Sequence, residues 1–379
     1  MVHFSKVAVV AAALAGSAIA HPGEHHDLDD IKQQVKARDQ MASVAKRSLN
    51  NCPSSLKHRE LTARAVARRS TIAKDLREKR GIQTKAKKFR RDLATLEAYE
   101  AVNHNMTGVY HYTPATPEAT IFSANTSCIL SPEVTDGPYY ILGELVRKNV
   151  TEGQPGIPLY LEAQYIDITT CLPVPELYVD IWNCNATGYY SGVVANGNEV
   201  GWDSTFLRGV QPTDEEGVAS FETIFPGHYE GRAIHTHLLV HDNVTVMDNG
   251  TFQGGAVTHI GQLFWNEELR SAAEAVYPYT TNTQAITSNA EDMWSIVQAE
   301  NDFDPFPEYM YLGDSIEDGL LAWIQIGVNV TADYTDDDYY SVAATLQADG
   351  GHENTESPFT RGGDMGNGTA PGNGTAPPS

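Results

Sequence analysis

No stretch of the chain reaches the roughly 18 consecutive apolar residues that a membrane-crossing helix requires, so no bilayer span is expected. Cysteine is scarce: Cys52, Cys128, Cys171 and Cys184 are the only four, and none has the C-x-x-C spacing of a metal knuckle. There is no glycine-rich phosphate loop and no G-x-S-x-G nucleophile elbow, which removes the commonest nucleotide and serine-hydrolase readings. Basic residues nearly vanish after position 100. Residues 1–100 hold 20 Lys+Arg against 11 Asp+Glu, a balance of +9, whereas the remainder holds 6 against 38, a balance of −32. A basic segment would normally raise nucleic acid as a partner, but a chain with an export leader, as at residues 1–20, seldom meets any, and none is expected. The basic segment is expected to neutralise the acidic body or that of a second subunit, which makes a homodimer a candidate assembly.

What is present begins with an export signal. Lys6 precedes the apolar run Val7–Leu14, and Ala18-Ile19-Ala20 fits a small-residue cleavage site, so residues 1–20 read as a signal peptide. Nine Asn-x-Ser/Thr sequons agree with a secreted, extracellular glycoprotein (Asn105, Asn125, Asn149, Asn185, Asn243, Asn249, Asn329, Asn367, Asn373). Asn185 is a doubtful acceptor because it lies inside the motif described below. Residues 21–109 form a basic segment, with helices expected over 27–50 and 57–91; it is either a propeptide or a dimerisation region. Dibasic pairs such as Arg68-Arg69 and Lys79-Arg80 are candidate processing sites, though exposed helical charge is the simpler explanation. Cys171 and Cys184 flank a single expected strand, too far apart to bridge, so a bond from Cys128 to Cys52 or Cys171 is preferred. Cys184 is expected to stay unpaired.

From 110 to 342 the texture is short β-rich runs punctuated by Gly, Pro, Asn and Asp. Leu177–Trp182 and Leu238–Val240 are strands by composition, and helices are expected at Glu267–Val276 and Glu291–Glu300. The fold class is mainly β, an antiparallel β-sandwich with an N-terminal helical segment. Residues 343–379 read as a disordered glycosylated tail.

Three segments carry chemistry. Alternation along a strand puts His235 and His237 on one face, where both can grip one ion, though imidazole suits several metals. The Pro226-Gly227-His228-Tyr229 turn just upstream can swing a phenol towards the same point. Trp182-Asn183-Cys184-Asn185-Ala186-Thr187-Gly188-Tyr189-Tyr190-Ser191 delivers a second phenol, with Tyr189 as rival to Tyr190. A phenol titrates near 10 and ionises at neutral pH only beside a strong Lewis acid, which points to Fe(III). His21, His25 and His26 could chelate copper at a processed amino terminus, but a flexible histidine-containing leader is the simpler reading. His228, His241 and His259 are expected in supporting or surface roles.

These motifs resemble the intradiol ring-cleavage dioxygenases, a family that includes the catechol 1,2- and protocatechuate 3,4-dioxygenases. The resemblance rests on Asp136-Gly137-Pro138-Tyr139-Tyr140 with Arg147, and on Asn185-x-x-Gly-x-Tyr-Ser. It continues through Arg208-Gly209, Phe221-x-Thr-Ile, Arg232-x-x-His-x-His and Gly261-Gln262-Leu263-Phe264-Trp265, densely over about 128–270. It implies one Fe(III) per chain held by Tyr190, Tyr229, His235 and His237. It further implies that Arg232 faces a small aromatic diol, that Gln262 shares that wall, and that Tyr229 leaves the metal to take a substrate proton. The ring is then opened with O2 to a muconic-acid-type product, with the Arg232 charge stabilising the anion. The chain departs from the family pattern at three points: Ala233 stands where the family often has proline, Thr236 sits between the histidines, and His235 follows Tyr229 by only six positions, which bears on substrate contacts. The alternative is a secreted, non-catalytic β-sandwich that binds metal or phenolics.

Overall fold

The computed structural model describes residues 45, 48–49, 51–82, 135–194, 201–292, 294–295, 304–336 and 340–355. Helix α1 (Leu56–Lys79) precedes strands β1 (Ile141–Leu142), β2 (Pro158–Asp167), β3 (Tyr178–Trp182), β4 (Arg208–Pro212) and β5 (Val218–Ile224). Next come β6 (His235–Asp242), β7 (Thr245–Val246), β8 (Phe252–Gln253), β9 (Ala256–Phe264) and helix α2 (Glu267–Glu274). The described chain closes with β10 (Glu308–Tyr311), β11 (Leu320–Val328), β12 (Ala344–Gln347) and β13 (Gly350–Glu353).

Two four-stranded sheets, ordered β10-β11-β2-β5 and β4-β3-β6-β9, face each other. Alternate residues of each strand point into the shared core: Leu159, Leu161 and Ala163 of β2, Val179 and Ile181 of β3, Leu238 and Val240 of β6, and Ala322 and Ile324 of β11. These two sheets form the expected mainly-β sandwich, with one exception to antiparallel pairing between their strands. Strand β11 runs parallel to β2 over nine residue pairs. A parallel central pair normally has both faces covered. Here the cover is α1, whose Ala73 and Leu76 pack on the outward-facing Tyr160, Leu321 and Trp323. This is why β11 reads as a nearly unbroken apolar run rather than an alternating one.

Charge holds α1 in place as well. Glu162, buried on β2, accepts hydrogen bonds from Arg68 at 3.0 and 3.1 Å and from Arg69 at 2.8 Å. Arg77 donates to the Leu312 carbonyl at 2.9 Å. The Arg68-Arg69 pair is therefore part of a packed interface rather than the exposed helical charge expected of that dibasic motif. The helix ends at Lys79, with Gly81 in the left-handed region at φ +66°.

Two expectations are corrected. The disulfide joins Cys52 to Cys171, with Cα atoms 5.5 Å apart and a sequence separation of 119. It replaces the preferred pairing with Cys128, which lies outside the described residues. Cys184 is a buried free thiol, as expected. The boundary placed at 342/343 also moves. Strands β12 and β13 form a hairpin, and β12 pairs in parallel with β1. Gly351 makes this close fit, since a Cβ there would sit 2.1 Å from the Trp202 carbonyl oxygen. Most of the helix expected over 27–50, most of that over Glu291–Glu300, the signal peptide and residues 356–379 fall outside the described residues.

Because the disulfide closes a long loop, the Cys52→Ser/Cys171→Ser variant is expected to lose about 2–4 kcal/mol of stability, read as a lower midpoint in guanidinium unfolding. An unchanged midpoint would mean the tether adds nothing to the packed α1.

Candidate metal centre

The site lies on the outward face of the β4-β3-β6-β9 sheet, the face away from α1. Register places Trp182, His237 and Gln262 side by side across β3, β6 and β9. Trp182 stacks on the His237 ring, with centroids 4.6 Å apart and planes within 5°. His235 shares this face two residues earlier, as strand alternation demands. Its Nδ1 lies 2.7 Å from the Ala233 carbonyl, which can only accept, so the proton is on Nδ1 and the Nε2 lone pair faces the site.

Two turns bring in the phenols. Asn185 caps one: its side-chain oxygen accepts from Thr187 N at 3.0 Å and Tyr189 N at 3.1 Å, orienting the segment that ends at Tyr190. Gly227 begins the other, where any Cβ would stand 2.4 Å from the Ala186 carbonyl oxygen. Glycine at that position therefore lets the Tyr229 turn press directly on the Tyr190 turn. The Cys184 thiol sits at the same junction, donating to the Gly227 carbonyl at 3.1 Å, and burial pushes its pKa up to about 12.

The four side chains converge. His235 Nε2 lies 3.0 Å from His237 Nε2 and 3.4 Å from the hydroxyl oxygens of both Tyr190 and Tyr229. All four residues are buried. Tyr189 turns outward and is 39% exposed, so of the two rivals only Tyr190 enters the cluster. Burial raises both Tyr190 and Tyr229 well above the ordinary tyrosine value, and both stay protonated without a nearby cation. Among the described residues no three His, Cys, Asp or Glu side chains gather at ligand spacing. Two neutral imidazoles and two ionisable phenols aimed at one point fit a hard, highly charged cation.

Arg232 and Gln262 form one wall. Arg232 donates to Gln262 Oε1 at 2.5 Å, and Gln262 in turn donates to the Thr135 carbonyl at 2.8 Å. The fully buried Arg232 guanidinium is not a bare charge, however. Asp292 Oδ2 accepts from its Nε at 2.8 Å and from Ala233 N at 2.8 Å, while Asp292 Oδ1 accepts from Trp294 N at 2.8 Å. Asp292 went unsingled in the sequence because it lies 60 residues away inside an expected helix, with no local motif. Arg147 lies elsewhere, donating to the Thr205 and Arg208 carbonyls at 2.7 and 2.9 Å. His228 is held by Gln284 O at 3.0 Å and Glu274 at 3.1 Å, and His241 by the Tyr140 hydroxyl at 2.8 Å, so neither joins the four. Tyr139 stacks against Tyr190 with centroids 4.7 Å apart, a packing role for the Asp136–Tyr140 motif. His21, His25 and His26 lie outside the described residues.

A family model described as a dioxygenase matches residues 135–252. A solved intradiol ring-cleavage dioxygenase from Tetranychus urticae is 32% identical, covering 54% of this chain and 97% of that one, with a TM-score of 0.46. This chain belongs to the intradiol ring-cleavage dioxygenase family. Two more distant solved structures are a dioxygenase domain from Streptomyces sp. SirexAA-E and catechol 1,2-dioxygenase from Pseudomonas arvilla C-1. The first is 22% identical, covers 53% of this chain and 99% of that one, and has a TM-score of 0.34. The second is 16% identical, covers 52% and 62%, and has a TM-score of 0.33. No curated protein sequence matches. As an intradiol dioxygenase the protein is an oxidoreductase, of a family that uses iron and acts on aromatic diols with O2. That standing displaces the non-catalytic alternative.

Within this dioxygenase, Asp292→Asn should leave the ligand set intact but loosen Arg232. The expected outcome is a fall of roughly tenfold or more in kcat/KM, since small misplacements of orienting groups are costly. Steady-state oxygen uptake, beside an unchanged iron content, checks it. A variant as active as the parent would remove Asp292 from the positioning machinery.

Proposed function

We propose that the protein is an extracellular Fe(III)-dependent intradiol dioxygenase that opens neutral catechol-type diols to muconic-acid-type products. The observation that carries this reading is the approach of the Tyr190 and Tyr229 oxygens and the His237 Nε2 to His235 Nε2, at 3.4, 3.4 and 3.0 Å. Iron held by these four residues would supply Lewis acidity, drawing electron density from a bound diol so that O2 attacks a ring carbon. The chain's residues do the rest. Tyr229, on the turn rather than a strand, is the phenol placed to take a diol proton on its oxygen. The Arg232 side chain, held by Asp292 and Gln262, presents N–H groups towards the ring-opened anion. Stacking of Trp182 on His237 and of Tyr139 on Tyr190 keeps the ligands oriented and excludes water.

Charge favours neutral substrates. Residues 101–379 carry a balance of −32, and α1 spends its cations on the opposite face of the sandwich. The compartment reading rests on the leader at residues 1–20 and the nine sequons. Oxygen uptake with catechol and with protocatechuate, beside metal analysis and a visible spectrum, tests the proposal. Expected are iron near one per chain, a burgundy phenolate-to-iron band and faster turnover of catechol. A colourless zinc protein, or a preference for protocatechuate, would overturn it.

A further inference from the structure

We propose that the folded protein carries N-linked sugars on Asn149, Asn243 and Asn249, and that the last two cap an apolar hairpin tip. The inference rests on the extracellular reading above. Just after β6, strands β7 and β8 pair as a two-stranded hairpin of their own. Asn243 and Asn249 bracket β7, and both are exposed. Between them Val246 is 46% and Met247 36% exposed, apolar side chains left facing water at the tip.

The acceptor geometry is built at two of the three sites. Asn249 Oδ1 accepts from Thr251 N at 3.1 Å and Thr251 Oγ1 at 2.7 Å, and Asn149 Oδ1 accepts from Thr151 N at 3.0 Å and Oγ1 at 2.8 Å. The sequon hydroxyl thus engages the carboxamide oxygen, leaving Nδ2 as the reacting atom. The Asn149 Nδ2 makes only a long 3.4 Å contact with Glu222, at the exposed edge of β5. In the transfer, Nδ2 attacks the anomeric carbon of a sugar carried on a polyprenyl diphosphate. The C–N bond forms, the C–O bond to the diphosphate breaks, one amide proton passes to a base and the lipid diphosphate departs.

Asn185 has the same sequon and the same turn, yet it is half-buried. Its Oδ1 accepts from Thr187 N at 3.0 Å, Thr187 Oγ1 at 3.0 Å and Tyr189 N at 3.1 Å, while Nδ2 faces Gln154 at 3.4 Å. Its carbonyl accepts from Gly227 N at 3.1 Å. A sugar there would wedge between the turns that present Tyr190 and Tyr229. The folded protein keeps Asn185 bare.

The test expresses the full chain with its own leader in a eukaryotic host and recovers it from the medium. Enzymatic removal of N-glycans converts each occupied Asn to Asp, which peptide mass spectrometry reads site by site. Conversion is expected at Asn149, Asn243 and Asn249, and none at Asn185. The Asn243→Gln/Asn249→Gln variant should keep its oxygen-uptake kinetics while binding severalfold more of a hydrophobic dye. Conversion at Asn185, or bare Asn243 and Asn249 in secreted protein, would overturn the inference alone. A chain retained in the cell would instead sink the compartment reading, and this inference with it.

Discussion

Tyr190→Phe is expected to keep its fold and lose both its iron and at least about 100-fold in kcat/KM, equivalent to roughly 2.7 kcal/mol of transition-state stabilisation. The substitution removes one oxygen and nothing else. The ring still stacks on Tyr139 at 4.7 Å and meets Tyr229 edge-on at 5.6 Å, so thermal unfolding should change little. What disappears is one of the three donor atoms within 3.4 Å of His235 Nε2. Tyr189→Phe supplies the control, since that side chain is outside the cluster and 39% exposed. It should retain parental iron and turnover within about twofold, in keeping with the small effects typical of exposed positions. Metal content, the visible absorption band and oxygen uptake, measured on the two variants together, decide the matter. Parental activity in Tyr190→Phe, or its loss in Tyr189→Phe, would mean that the metal is held by a different set.

The second large effect is far from the chemistry. Glu162→Ala should destabilise the protein by about 3–5 kcal/mol, because it strands buried guanidinium groups without their carboxylate. Arg69 is nearly buried and lies over the Trp323 ring at 5.4 Å, so it cannot simply turn to water. The exposed pair between Arg64 and Glu216 offers the contrast: Arg64→Ala should cost less than about 1 kcal/mol. The same network sets an acid limit. Burial alone would raise the Glu162 carboxyl, but Arg69 and Arg68 outweigh it and hold its pKa below the ordinary value. A depressed folded pKa contributes stability above the unfolded value of about 4.3, and that stability drains away as pH falls through the folded value. Chemical unfolding at pH 7 and pH 3 should therefore show the gap between parent and Glu162→Ala narrowing in acid. A gap that is constant or widens would mean the ion pairs contribute little.

Much of this molecule was legible along the chain. Strand alternation alone put His235 and His237 on one face, the Gly, Pro and Asn punctuation marked a β protein, and the motif residues marked which phenols and imidazoles to look for together. Each of those is a local property, set by backbone geometry or side-chain chemistry within a few residues. The tertiary structure decided what depends on the path of the whole chain. It brought Asp292 to Arg232 across 60 residues, joined Cys52 to Cys171 across 119, and paired β11 with β2 in parallel. It also chose Tyr190 over its neighbour, because only the packed turn at Gly227 determines which of two adjacent side chains faces inward. Local rules fix which way neighbours point relative to one another; only the closed core fixes what they point at.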